Sequence, residues 1–210
     1  MSDKKELYSG KFLKLCERNG WEFVERAKGR DGVMIVPLTT DDCFILVEEW
    51  REPIQKHVIN FPAGVMGDKN DSESIVEAAS RELEEETGYF LKAWDRIATI
   101  ATSAGLSSEA LHVVPAYDCY KFSAGGGVEN EGEHITVHKV PFNCLYQWLH
   151  VKNKNNTLIG AALWMFALGL FTAGQLNRRR LNNADTETLK EAITGVYNLL
   201  ETHAFFNTKD

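Results

Sequence analysis

The chain has 210 residues, 44% hydrophobic and 25% charged, with a formal net charge of −7 at pH 7, enough to bury one sizeable core in an ordinary globular fold. The acidic balance argues against a nucleic-acid backbone as main partner. The start, Met-Ser-Asp-Lys-Lys-Glu, lacks an apolar signal core, and Cys16, Cys43, Cys119 and Cys144 show no paired spacing, so reduced thiols in a cytoplasm are expected.

In chain order, Phe12-Leu13-Lys14-Leu15 and Trp21-Glu22-Phe23-Val24 alternate in character and read as an N-terminal hairpin within 11–28. Strands follow at Val33–Pro37 and Cys43–Glu48, joined by a Thr-Thr-Asp-Asp turn, and near Val58–Phe61, leading into a Pro-Ala-Gly loop. After an acidic helix, strands are predicted at Arg96–Thr102, Leu111–Phe122 and Ile135–Val140, all rich in β-branched and aromatic residues. His138 in the last of these and His134 just before it are read as structural or surface residues. Helices are predicted at Asn143–Leu149, Leu158–Leu176 and Thr186–His203, the last with Leu189, Ile193, Val196 and Leu200 at helical spacing. The uncharged run Leu158–Leu176 is long enough to span a bilayer, but it contains Gln175, Gly160, Gly169 and Gly174. It is read as a buried or interface helix, with no membrane partner. Interleaved strands and helices predict an α/β (α+β) fold, a mixed sheet sandwiched between helices.

The acidic helix carries the chemistry. Asp71 or Ser72 offers a start signal and Gly88 a stop. At about 100° per residue, with Ile75 as zero, Glu82 falls near −20°, Glu86 near +20° and Glu85 near −80°, the side that also holds Ala79, Leu83 and Val76. Glu77 and Glu84 point the other way. Arg81 is in reach of Glu77 or Glu85 at i,i+4. Acids crowded on a partly apolar face repel unless a cation sits among them, and an all-oxygen donor set suits Mg²⁺, with Mn²⁺ as the substitute.

The segment from Gly67 through Glu73 to Arg81-Glu82-Leu83-Glu84-Glu85-Glu86-Thr87-Gly88-Tyr89 resembles the signature of the Nudix hydrolases in every fixed position. That resemblance implies a three-layer α/β/α sandwich and Mg²⁺-dependent hydrolysis of a nucleoside diphosphate linked to another group. Glu82 and Glu86 would be metal ligands, with Glu85 as a further ligand or in close catalytic support. It also implies N-terminal strands in 1–50 that contribute to the sheet and to a homodimer, a catalytic core in 51–150 and helices of the same domain in 151–210. In the sugar-nucleotide branch the Gly of a Pro-Ala-Gly triplet is the first Gly of the signature. Here eight residues separate Gly64 from Glu73. The loop is therefore read as lengthened by three, with the Ala63 carbonyl preferred over that of Met66 as metal ligand and Gly67 matching partly by accident.

Outside the helix, Ala124-Gly-Gly-Gly-Val-Glu129-Asn-Glu131-Gly-Glu133 is similar to the acidic loop of the ADP-ribose pyrophosphatase branch. This resemblance implies Glu133 as a metal-contacting acid and Glu131 as general base, with Glu129 left open as an alternative. Val47-Glu48-Glu49-Trp50-Arg51 resembles the branch's Glu-Gln-aromatic-Arg strand end, with Glu49 replacing Gln; Arg51 is then a substrate contact, and Trp50 is read as a core residue. Thr102-Ser103-Ala104-Gly105 followed by Glu109 matches the branch's Ser-Pro-Gly and Glu, making Ser103 and Glu109 substrate candidates. Ala104 stands where the branch has Pro, which leaves sugars other than ADP-ribose open. The function implied is hydrolysis of a nucleoside diphosphate sugar to a nucleoside monophosphate and a sugar phosphate. Cleavage of a nucleoside triphosphate or dinucleotide, and a non-catalytic sugar-nucleotide sensor, are the competing readings.

Overall fold

The structure, a computed structural model, describes residues 3–28, 31–67, 70, 72–126 and 134–183, with side chains as far as 178. The helix expected at 186–203 and the acids Glu129, Glu131 and Glu133 lie outside the described residues, as does Asp71.

Three strands, β1 (Lys5–Ser9), β2 (Leu13–Arg18) and β3 (Trp21–Arg26), form an antiparallel sheet of their own. Of the strands expected within 1–50, those at Val33–Pro37 and Cys43–Glu48 join the main sheet and these three do not. The cause is local: Asn19 and Gly20 both take positive φ, 55° and 76°, the geometry of a tight hairpin turn that pairs β2 with β3. The small sheet is tied to the rest by Val24, whose N–H donates to Leu106 O at 2.8 Å and whose carbonyl accepts from Ser108 N–H at 3.2 Å.

The main sheet has ten strands. Its path is β10 (Ala98–Ala101), β11 (Ala110–Lys121), β4 (Gly32–Thr39), β5 (Cys43–Arg51), β6 (Lys56–Asn60) and β13 (Leu158–Ile159). Off this path β12 (Thr136–Pro141) pairs with β5, β7 (Ala63–Val65) with β4, and β8 (Tyr89–Phe90) and β9 (Ala93–Trp94) with β11. The sheet is mixed, since β4 with β11 and β6 with β13 run parallel. Four of these strands were not expected from sequence: the short β8 and β9, β7 and β13. The Pro-Ala-Gly loop is partly a strand, hidden in sequence because Gly64 carries little strand preference. Leu158 and Ile159 extend the sheet, so the helix expected from Leu158 begins at Ala161 as α3 (Ala161–Asn183). No helix among the described residues is long and apolar enough to cross a membrane.

Helix α1 (Ile75–Thr87) is capped two to three residues later than the sequence signals at Asp71 and Ser72. Its N-cap is Ser74, whose hydroxyl accepts from Glu77 N–H at 3.3 Å while Glu77 accepts from Ser74 N–H at 2.8 Å, a reciprocal capping box. Gly88 ends it at φ 72°, a conformation that favours glycine. The helix lays Ala78, Ala79 and Leu83 on Val33, Ile35, Val114 and Ala116 of β4 and β11. Truncating the fully buried Leu83 to Ala would cost about 2–5 kcal/mol. Helix α2 (Leu145–Lys154) buries Leu145 and Leu149. Behind it Glu48 on β5 takes His138 Nε2 at 2.7 Å and Lys152 Nζ at 3.1 Å, so the structural reading of His138 holds.

The packing divides the chain into two units, Met1–Trp164 and Met165–Asp210. The boundaries expected at 50 and 150 instead fall inside β5 and α2. Cys16, Cys43, Cys119 and Cys144 are all free thiols. Burial pushes the Cys119 thiol up to about 12, so it is inert packing.

Candidate active site

The site is built where α1 faces β7. Gly32, Val33 and Met34 of β4 pair with Val65, Gly64 and Ala63, which lays the backbone of 63–65 along α1. Glu82 and Glu86 sit one turn apart on the facing side, each only 8% exposed. Glu86 Oε2 accepts the Ala63 N–H at 3.2 Å. The Glu82 carboxylate packs so closely on Gly64 that a Cβ there would overlap its Cδ and both oxygens. Glycine in this strand marks a close approach of a side chain to a backbone.

A cation does sit among these acids, and it is Arg81. Its Nε donates to Glu73 Oε1 at 2.8 Å, its Nη1 to Glu82 Oε1 at 2.8 Å and Glu85 Oε2 at 3.4 Å, and its Nη2 to Val65 O at 3.2 Å. Of the two i,i+4 partners expected, Glu85 is taken, while Glu77 serves the cap. The guanidinium fork is suited to such multidentate work, so part of the repulsion assigned to a metal from sequence is relieved by protein. Among the described residues no group of three or more His, Cys, Asp or Glu is arranged as a metal cage. Two buried carboxylates one turn apart, Glu82 and Glu86, nevertheless offer oxygen donors of the kind a hard divalent ion takes.

Gly67 has a use of its own. Its φ is 74°, and its N–H donates to Glu73 Oε2 at 3.3 Å. Gly67 and Gly64 are both required, the first by conformation and the second by the approach of Glu82, so the match at Gly67 has a physical basis that the sequence reading discounted.

The expected substrate residues are placed as follows. Arg51 ends β5, is exposed and pairs with Glu49. Trp50 is 49% exposed, donates to Glu52 at 2.7 Å and meets His57 edge-on; the expectation of a core Trp is corrected, because it sits beside the turn of the β5–β6 hairpin, one pair from its last. Ser103 closes the turn before β11, its carbonyl accepting from Leu106 and Ser107 N–H at 2.9 Å each. Glu109 pairs with Arg26 of β3 and reaches over Gly32: a Cβ on Gly32 would have Glu109 Oε1 and Gly64 O each at 3.7 Å. This brings Glu109 to the edge of the same backbone segment. Arg26 and the cap residue Ser74 were missed in sequence, and Glu73 was singled out there only as a fixed position of the signature, not as the partner of Arg81. Only Ser74 had a readable signal, the Ser-x-x-Glu spacing.

A mixed sheet that carries an acidic helix against a glycine-containing strand is the arrangement of a Nudix hydrolase. The family profile described as NUDIX domain matches residues 28–154, and the chain belongs to the Nudix family. It is 30% identical over 164 residues to the ADP-sugar pyrophosphatase of Mus musculus, covering 71% of this chain and 73% of that protein. It is also 28% identical over 120 residues to the methanol dehydrogenase activator of Bacillus methanolicus, covering 57% of this chain. The match spans 63% of that bacterial protein's length. The solved structure described as ADP compounds hydrolase superposes with a TM-score of 0.56 at 23% identity, covering 82% of this chain and 93% of that one; it shows the shared fold.

Proposed function

We propose that the chain hydrolyses the pyrophosphate of a nucleoside diphosphate sugar of the ADP-ribose type, giving a nucleoside monophosphate and a sugar phosphate. The observation that carries this reading is the convergence of Glu82 and Glu86 on the backbone of Ala63 and Gly64. The mouse relative, an ADP-sugar pyrophosphatase, supports the substrate class.

Glu82, Glu86 and the Ala63 carbonyl are the proposed holders of Mg²⁺, with Mn²⁺ as substitute. When bound, such an ion offsets diphosphate charge and lowers the pKa of a water. Arg81 keeps Glu82 and Glu85 oriented, and Gly64 leaves room for the Glu82 carboxylate. Glu109, which reaches over Gly32, and Ser103 are proposed substrate contacts, and Arg51 offers a planar fork to phosphate. Glu131 as proton acceptor and Glu133 as a further metal contact remain assignments from the family likeness. The working unit is proposed to be a cytoplasmic homodimer. The exposed Leu7, Tyr8, Phe12, Leu13 and Trp21 of the small sheet support a partner there, and a monomer mass by light scattering would exclude it.

The test is to incubate the protein with Mg²⁺ and a panel of ADP-ribose, nucleoside diphosphate hexoses and a nucleoside triphosphate, then separate the products. Monophosphate plus sugar phosphate is expected. Release of inorganic pyrophosphate from the triphosphate alone would sink the sugar-nucleotide reading.

A further inference from the structure

We propose that Lys121 is a positioning residue for the reaction, clamping the acidic end of α1 onto the segment that follows β11. The helix ends on Glu84, Glu85 and Glu86 with no basic residue in its own last turn. That is an unfavourable arrangement, because the C-terminal pole of a helix is already negative and its last carbonyls lack partners within the helix.

Lys121 supplies both missing elements from another strand. Its Nζ donates to Thr87 O at 2.7 Å and to Ala124 O at 2.9 Å and stands 5.2 Å over the Tyr89 ring. Two of the three ammonium donors are thereby fixed, one on the helix and one on the returning segment. The segment then follows the helix end by main-chain bonds. Phe122 and Ser123 N–H donate to Gly88 O at 2.8 and 3.0 Å, and Gly126 N–H donates to Glu86 O at 2.8 Å. The two backbones are so close that a Cβ on Gly125 would overlap Thr87 and the Gly88 nitrogen, and one on Gly88 would overlap the Ser123 carbonyl.

Glu86 is consequently held at both ends: Gly126 bonds its carbonyl, and its carboxylate bonds Ala63 N–H. A shift of the last helical turn moves that carboxylate relative to β7. Lys121 sets where the turn stops, without itself touching the acids' cleft face. The inference rests on the reading that Glu86 holds the metal.

The test uses the full chain with Lys121→Met and Lys121→Arg. Mn²⁺ affinity is measured by titration calorimetry without substrate, kcat and KM on ADP-ribose with saturating Mg²⁺, and folding by circular dichroism. Lys121→Met is expected to weaken Mn²⁺ binding roughly tenfold and lower kcat roughly tenfold, with KM within about twofold. Lys121→Arg recovers most of both. Should Lys121→Met not fold, Lys121→Gln gives the same comparison. Unchanged Mn²⁺ affinity per folded molecule overturns the proposal even if the melting temperature falls, because the role would then be structural only. If the wild type cleaves nothing in the panel, the substrate reading fails by itself and the Mn²⁺ isotherms still decide on Lys121. A wild type that takes up no Mn²⁺ overturns this proposal together with the metal assignment.

Discussion

Replacing Gly64 with Ala probes the site at its tightest point. A Cβ at Gly64 would overlap all three atoms of the Glu82 carboxyl group. Restoring ordinary contact requires the carboxylate to retreat by about 1–1.5 Å. The backbone has no objection, since Gly64 lies in a strand and is not among the glycines with positive φ. Glu82 can move only by disturbing its 2.8 Å bond to Arg81, which adds a stability cost of about 1 kcal/mol. A displacement near 1 Å of a group that positions reactants costs about a hundredfold in rate, or about 2.7 kcal/mol of transition-state stabilisation. Steady-state kcat/KM on ADP-ribose, measured beside the thermal midpoint, separates the two effects. The expected variant is folded at the assay temperature yet about a hundredfold slower. Near-normal turnover would show that the carboxylate of Glu82 has no fixed place against β7, and the proposed metal cradle would fall with it.

Glu86→Gln is expected to lower kcat by about two to three orders of magnitude with an intact circular dichroism spectrum; near-normal turnover would remove Glu86 from the ligand set. Ser74→Ala should cost about 1 kcal/mol through the lost cap, a drop of about 2–4 °C in the thermal midpoint with kcat little changed, read by calorimetry and assay together. Burial alone would raise the Glu48 carboxyl, but the hydrogen bonds from His138 and Lys152 outweigh it and leave the pKa below the ordinary carboxylate value. A lowered acid contributes stability above its unfolded pKa, about 4.3, and loses it as the pH falls through the folded value. The midpoint difference between wild type and Glu48→Gln should therefore be full near neutrality and shrink below about pH 4; a difference independent of pH down to 3 would contradict the assignment.

The sequence disclosed α1 and its burial pattern well, because a 100° periodicity assigns faces without tertiary information: Glu82 and Glu86 are buried and Glu77 is exposed. It disclosed the strands of high β-branched content for the same kind of reason. What stayed hidden depends on contacts distant in the chain. The place of Arg81 among Glu73, Glu82 and Glu85 needs the fold of the 65–73 loop. The pairing of Arg26 with Glu109 spans 83 residues, and no local pattern marks it. Trp50 was misread because an aromatic residue in a strand is usually packed, and only the hairpin geometry shows that this one faces water.

The parallel pairing of β4 with β11 joins Gly32 to Leu111 and Ile35 to Val114, so the central strand waits for residues synthesised about 80 positions later. At about 5–20 residues per second that interval is several seconds. During it the apolar run from Val33 to Ile35, which is buried in the finished protein, has β5, β7 and α1 to pack with but lacks β11 along one edge. Distant parallel pairings also close slowly after release. The β4–β11 pairing at the centre of the sheet therefore forms late, and the nascent protein passes through a stage in which an uncovered edge of β4 is open to wrong partners. Destabilising changes in β11 would then show first as poor recovery of folded enzyme, before any change in the activity of the molecules that do fold.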